Sequence, residues 1–574
     1  MAMLANVQRS RHLLLLRGLL DAVGHEAASV ARLWDNFQAL CDMERENSQQ
    51  VARLIAHPLV GAWLTATLSR VMGGDRPNHP KPLWADLGHL GAIAVAAAIK
   101  SNVQVQAAVP SRRGIVAIPT IGRLSIEDTA MWRMTEVRRL EDGTLTVAYG
   151  RRLVVIPEGR SDEGISQLSI RWLRASCEGL TLEVELDDVD PYRNPYTLTT
   201  AHRLTGEEVS EWQRYLSEAW TILVTRHWDV AESLARGLRT LVPLRGGGTG
   251  WASSTSRHAP AAVALTRPTN GTNLACTLVH EFQHTKLNLI MDVSPLHRGS
   301  TRPFFYSPWR DDPRPLTGLL HGIYAGIAMA DFWRIEHKAN RFRPVTAFEF
   351  SRLRRQVEAA LRPLVRNDSL TDSGAILVDV MAEVASSWDD DADVSTPSQA
   401  LADDLVLAHV LRWKLRNLKP YDSDVVHLAA IWRSGASADL SARESALLNR
   451  NNVYSNDTLL HLAYNILQKD ISFSGNLQGP FFDIPEVKSS DFHLVSGRYS
   501  EAASTYEKEI AKGERRIEVW AGFAVSLRRL FGREARAIIS RPELVRAVYE
   551  HLAEGDSPMP SPRELAHWLA PVAS

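Results

Sequence analysis

His280, Glu281 and His284 form a His-Glu-x-x-His run inside the segment Thr277 to Lys286. In a helix each residue turns about 100°, so imidazoles four positions apart lie about 40° apart, one turn above each other. Both rings can then address a single metal ion. Glu281, between them, can reach a metal-bound water or hold a ligand in place. Leu274, Leu278, Phe282 and Leu287 recur near the helical period, and this predicts a buried helix for the segment.

Two imidazoles need at least one more protein ligand. Leu287 to Ile290 supply neither the Gly nor the third His of HExxHxxGxxH, which excludes the metzincin pattern. Asp292 lies eight residues beyond His284, two helical turns away and out of reach. His321, at the start of the apolar segment Leu319 to Trp333, is the expected third ligand, because an imidazole on so apolar a surface must find a partner. A hydrogen-bonded core histidine is the ordinary alternative there, and Asp311 and Asp312 are the other candidate ligands. His258 and His297 sit in polar loops and read as surface residues.

The loop Phe304 to Leu316 carries three prolines, several aromatics and the guanidiniums of Arg310 and Arg314. Arginine forks match carboxylates bidentately, so a stiff loop that presents two of them beside a metal suits an acidic co-substrate. The plain alternative is that both arginines pair with Asp311, Asp312 or helix C-termini.

Three motifs in order, Leu278 to Leu287, Pro308 to Leu316 and Leu320 to Ala325, resemble the HExxH-motif proteins of ribosomal peptide natural-product pathways. That family is understood as 2-oxoglutarate-dependent peptide β-hydroxylases. The resemblance is tight over about residues 250 to 335 and looser elsewhere. It implies a non-haem iron(II) dioxygenase, with the metal on His280, His284 and His321 and the distal carboxylate of 2-oxoglutarate on Arg310 or Arg314. It also implies a ribosomally made precursor peptide as substrate. Glu281 then has no obligatory base role and is expected to orient a ligating histidine or a water. Gln283 is expected to border the site, and Lys286 to turn away from it. The usual triad in such oxygenases is two histidines and a carboxylate, so a three-histidine set departs from it and keeps Asp311 and Asp312 in consideration.

Two rival functions belong to other classes. In a zinc metallopeptidase Glu281 is the general base for a metal-bound water, and an acidic third ligand is required, for which Glu336 is the candidate. In a non-enzymatic helical peptide-binding scaffold the motif is accidental.

The elements that must position these residues follow from pattern and composition. With 574 residues the chain is too long for one core, and 45% hydrophobic with 23% charged residues is ordinary for globular protein. A formal charge of −1 gives no overall attraction to nucleic acid or an anionic membrane, and neither is expected as a partner. Cys41, Cys177 and Cys276 lack disulfide or metal spacing, which fits a reducing, cytoplasmic setting. Leu13 to Leu16 form a short apolar run among basic residues, read as amphipathic helix and not as a signal peptide. Leu90 to Ile99 is about half the length of a membrane span and reads as a buried helix or strand.

The expected fold is mainly α with a small β-rich insertion: an N-terminal helical region (1–80), a β-rich region (81–200), an HExxH catalytic core (201–345), a helical domain (346–480) and a C-terminal helical region (481–574). Thr205 and Glu208 make a capping-box signature for a long helix. Residues 259 to 267 predict a strand leading into the metal helix. Gly246 to Gly250 is a flexible connection that lacks the Lys-Ser/Thr of a phosphate loop. Asp389 to Asp391 reads as a solvated break. From Asp491 to Leu530 the Gly, Tyr and Ala spacing resembles a tetratricopeptide-type helical hairpin, which could grip a leader peptide.

Overall fold

A computed structural model describes residues 2–73, 80–156, 169–194, 199–246, 252–299, 304–340, 343–388, 396–438, 442–448, 457–468, 487–554 and 559–573. Most of the glycine run (247–250) and the acidic break (389–391) lie outside the described residues. The chain is mainly helical with a smaller sheet content, and it divides into two compact units, Met1–Ser294 and Pro295–Ser574.

The first unit holds two sheets. β1 (Val105–Arg112), β2 (Ile115–Ile118), β3 (Gly122–Ser125), β4 (Arg133–Arg139), β5 (Leu145–Tyr149) and β6 (Arg152–Ile156) pair throughout antiparallel in the order β3-β2-β1-β4-β5-β6. The apolar run Leu90 to Ile99 is helical and belongs to His89–Ser101, which is buried against this sheet. Gly91 lets helix and strand meet, since a Cβ there would stand 2.1 Å from the Ala108 carbonyl oxygen. The buried amide of Asn36 completes the contact, donating to the Ala108 carbonyl and accepting from its N–H, each at 2.9 Å.

The strands β7 (Arg171–Cys177) and β8 (Leu180–Leu186) leave this insertion and join β9 (Thr240–Leu244), β10 (Ser253–Thr255) and β11 (Ala262–Thr266) in a mixed sheet ordered β10-β11-β9-β8-β7. β9 runs parallel to both β8 and β11, while β10 is an antiparallel edge. Burial accounts for the exchange: every residue of β9 and β11 is buried, the signature of strands covered on both faces. Helix Gly206–Arg226 begins with the complete Thr205–Glu208 capping box and packs on β7 and on the helix of the HExxH motif.

Among the described residues one helical stretch, Leu83–Ser101, has the length and apolarity to cross a membrane, or two if the bent pair Ser48–Ile55 and Pro58–Gly73 counts as one span. The former reaches further than the short run seen in the sequence, and 78% of it is buried inside the protein.

The second unit is built from helices around a core running from Phe348 to Val572. Leu316–Ala339 packs on Pro344–Leu361, which packs on Pro397–Asn417, which in turn meets Ile517–Phe531. Tyr499–Ala511 and Ile517–Phe531 form a close hairpin in which the Tyr506 ring fills the space a Cβ on Gly522 would take.

Candidate metal centre

The motif helix is Gly271–Val293. Asn270 caps its start by accepting from the Asn273 N–H at 2.8 Å. Gly271 lies so close to the backing helix that a Cβ would stand 2.4 Å from that of Glu218, whose carboxylate accepts from the Gly271 N–H at 3.1 Å. Leu274, Leu278, Phe282 and Leu287 are fully buried, as their spacing predicts. These anchors fix which side of the helix is covered, and His280 and His284 stay half-buried.

The two rings meet edge to face, with centroids 4.6 Å apart and Nε2 atoms 3.1 Å apart. Nitrogens bound at roughly 2.1 Å to one ion at right angles stand about 3 Å apart, so this pair fits a shared metal. Burial lowers the pKa of His280 to about 4, which leaves the ring neutral with a lone pair to donate. Its side chain keeps 32% of its surface open. Among the described residues no group of three or more His, Cys, Asp or Glu side chains is placed to hold a metal ion.

Glu281 is buried, and its carboxylate accepts from the Ser253 hydroxyl of β10 at 2.7 Å. One oxygen lies 3.8 Å from His280 Nε2, while Oε2 has no hydrogen-bond partner. Burial pushes its carboxyl up to about 7, against hydrogen bonds from Ser253 and Thr255 that favour the charged form. The edge strand therefore holds the acid beside the imidazole pair. Ser253 and Thr255 carried no signal in the sequence, because contact with Glu281 depends on β10 lying over the motif helix. Gln283 is buried, and the Lys286 ammonium sits 6.0 Å from the Phe282 ring centroid.

In the second unit the arginine loop closes on itself. Phe305 and Arg314 exchange backbone hydrogen bonds of 2.8 and 2.9 Å across an antiparallel bridge. At its centre the buried Asp312 accepts from Arg310 Nε at 3.0 Å and from Arg314 Nη1 at 3.1 Å. Burial alone would raise the Asp312 pKa, but the two guanidiniums outweigh it and hold the carboxyl below its ordinary value. Asp311 faces His409 at 4.0 Å and Arg416 at 3.9 Å, so both alternative carboxylate ligands are engaged by cationic or imidazole groups. Tyr306 anchors the loop against Trp413 and His409.

His321 stands half-buried in the helix Leu316–Ala339. Its neighbour Gly322, and Gly326 one turn on, admit the Trp309 indole, which a Cβ on either would approach to 2.6 and 2.8 Å. The aromatic of the loop motif and the glycine of the His-Gly motif are thus two sides of one contact, visible in sequence as small residues four apart. Gly318 likewise makes room for Arg314. His297, read as a surface residue, is half-buried and bonded to the Thr317 hydroxyl at 2.8 Å. Glu336 is buried in the same helix.

The structure thus brings His280, His284 and Glu281 together, and Arg310, Asp312 and Arg314 together. No family model matches the chain. No curated protein matches it either.

Proposed function

We propose that the chain is an iron(II)- and 2-oxoglutarate-dependent hydroxylase acting on the β-carbon of a residue in a ribosomally synthesised precursor peptide. The observation that carries this reading is the imidazole pair with Nε2 atoms 3.1 Å apart. His280 and His284 are two of the metal ligands, and the resemblance implies His321 as the third. When bound, iron(II) supplies the dioxygen activation that attack on an unactivated C–H bond needs. The balanced reaction consumes 2-oxoglutarate, dioxygen and the peptide C–H, and yields succinate, carbon dioxide and the C–OH product.

The chain's own residues have distinct tasks. Arg310 and Arg314, preset by Asp312, carry net positive charge toward the distal carboxylate of 2-oxoglutarate. Glu281, fixed by Ser253, orients His280 or a water. β10 is an edge strand, and an extended peptide can add to such an edge through backbone hydrogen bonds. On this reading the hairpin Tyr499–Ala511 and Ile517–Phe531 is of tetratricopeptide type and receives the leader peptide, and the protein works in the cytoplasm without nucleic acid or membrane.

One observation favours a zinc metallopeptidase as the second reading. A buried acid with a pKa near 7 and an unpartnered oxygen suits a general base. The variants separate the two. His280→Ala, His284→Ala and His321→Ala should each lose equimolar iron and all hydroxylation, read by metal analysis and peptide mass. Glu281→Gln should keep iron and part of the activity. Complete loss of turnover in Glu281→Gln with the metal still bound supports hydrolysis instead.

A further inference from the structure

The two sheets of the first unit have four edges, β3, β6, β7 and β10. An open edge shows unpaired backbone N–H and C=O groups to which another chain can add, and folded proteins usually cover or blunt it. Here β7 is capped by Gln213, whose side-chain amide accepts from the Arg174 N–H at 3.0 Å and donates to the Arg174 carbonyl at 2.8 Å. β3 is closed at Gly122 by a bridge to Ser169. β10 is three residues long and holds Glu281. Among the described residues no strand pairs with the outer side of β6.

β6 also lacks the features that deter pairing. Its sequence, Arg-Leu-Val-Val-Ile, has no Pro, Gly or Lys, and its one charge stands at its start. Leu153 and Val155, on one face, are 63% and 56% exposed, whereas Val154 and Ile156 pack on the core. The hairpin fixes which backbone groups are free. β5 and β6 are joined by Gly150, at φ 58°, and Arg151, so Tyr149 and Arg152 are the hydrogen-bonded pair that closes a two-residue turn. Alternation along the ladder then bonds Val154 to Val147 and turns the N–H and C=O of Leu153 and Val155 to the open side. The two exposed apolar side chains thus belong to the residues with free backbone groups.

We infer that β6 is a contact between two copies of this chain, which join it antiparallel about a twofold axis at Val154 and fuse their six-stranded sheets into one. The strand is its own complement in that register. Leu153 of each copy lies opposite Val155 of the other, exchanging both backbone hydrogen bonds, and the exposed side chains cover one another. Val154 meets its own counterpart as a non-hydrogen-bonded pair. Arg152 falls opposite Ile156, so no like charges meet. A register centred on Leu153 sets Val155 against Arg151 instead. An unrelated extended peptide would find the same backbone groups, but a second copy brings the matching apolar pair by symmetry. The contact does not depend on the function proposed above.

Sedimentation equilibrium of the full chain, from about 1 to about 200 µM, tests the assignment, and a dimer should form with a Kd below about 100 µM. Leu153→Lys and Val155→Lys, at exposed positions, should each weaken it at least about tenfold with thermal midpoints unchanged. Cysteine cross-linking reads the register separately. Cα atoms of a non-hydrogen-bonded antiparallel pair stand about 4.5 Å apart, within disulfide reach. Oxidation by diamide should therefore link Val154→Cys to its own copy as a reducible dimer beyond the parent's background, whereas Arg152→Cys should not link to itself. A chain that stays monomeric throughout, Lys variants that dimerise like the parent, or self-linking of Arg152→Cys in place of Val154→Cys would each overturn the assignment.

Discussion

At the scale of single residues, two carboxylates show how surroundings decide what an acid does. Asp312 sits between Arg310 and Arg314 and accepts a hydrogen bond from each. Replacing it by Asn removes the charge that reconciles two neighbouring guanidiniums. Asp312→Asn should therefore raise the Kd for 2-oxoglutarate about tenfold or more while iron stoichiometry stays intact, as measured by titration of the reconstituted protein. An unchanged Kd would detach the arginine loop from the co-substrate. Asp190 illustrates the opposite case. Burial, and then the charge of Asp187, push its carboxyl up to about 7. A carboxyl whose pKa in the fold exceeds its unfolded value near 4 stabilises the fold while protonated, and that contribution is lost as pH rises toward about 7. Asn keeps the acceptor for the Tyr192 N–H and cannot ionise. The thermal midpoint of Asp190→Asn should thus gain on that of the parent as pH rises from about 5 to about 7.5, and a gap that widens on acidification would contradict this.

At the scale of elements, the contact between the loop and the helix Leu316–Ala339 depends on Gly322 and Gly326 accepting the Trp309 ring. Gly322→Ala should destabilise the protein by about 1–3 kcal/mol in urea, and Trp309→Leu in the same chain should recover part of the loss. Additive losses would show that the ring and the glycine do not share one space. The motif helix, the capping box at Thr205 and the strand before the motif were legible, because periodicity and caps are local signals. The exit of β7 and β8 from the inserted sheet was not legible, since pairing partners some fifty residues away in sequence leave no local mark. The same holds for Ser253 holding Glu281. The sequence supplied the chemistry-bearing residues, and only the fold showed what grips them.

At the scale of the whole molecule, a chain of near-zero net charge is organised as two compact units with separate cores. The first carries the imidazole pair, and the second carries His321 and the arginine loop. The claim on which the functional account depends is that these residues serve oxidation coupled to 2-oxoglutarate, not hydrolysis. Its most direct test is succinate release by the full chain, reconstituted anaerobically with iron(II) and then exposed to dioxygen, with 2-oxoglutarate and a panel of precursor peptides. The account predicts succinate formed in step with a peptide that gains one oxygen atom, and neither product in His284→Ala. Peptide cleaved by the zinc-loaded protein, with no succinate under any condition, would contradict it.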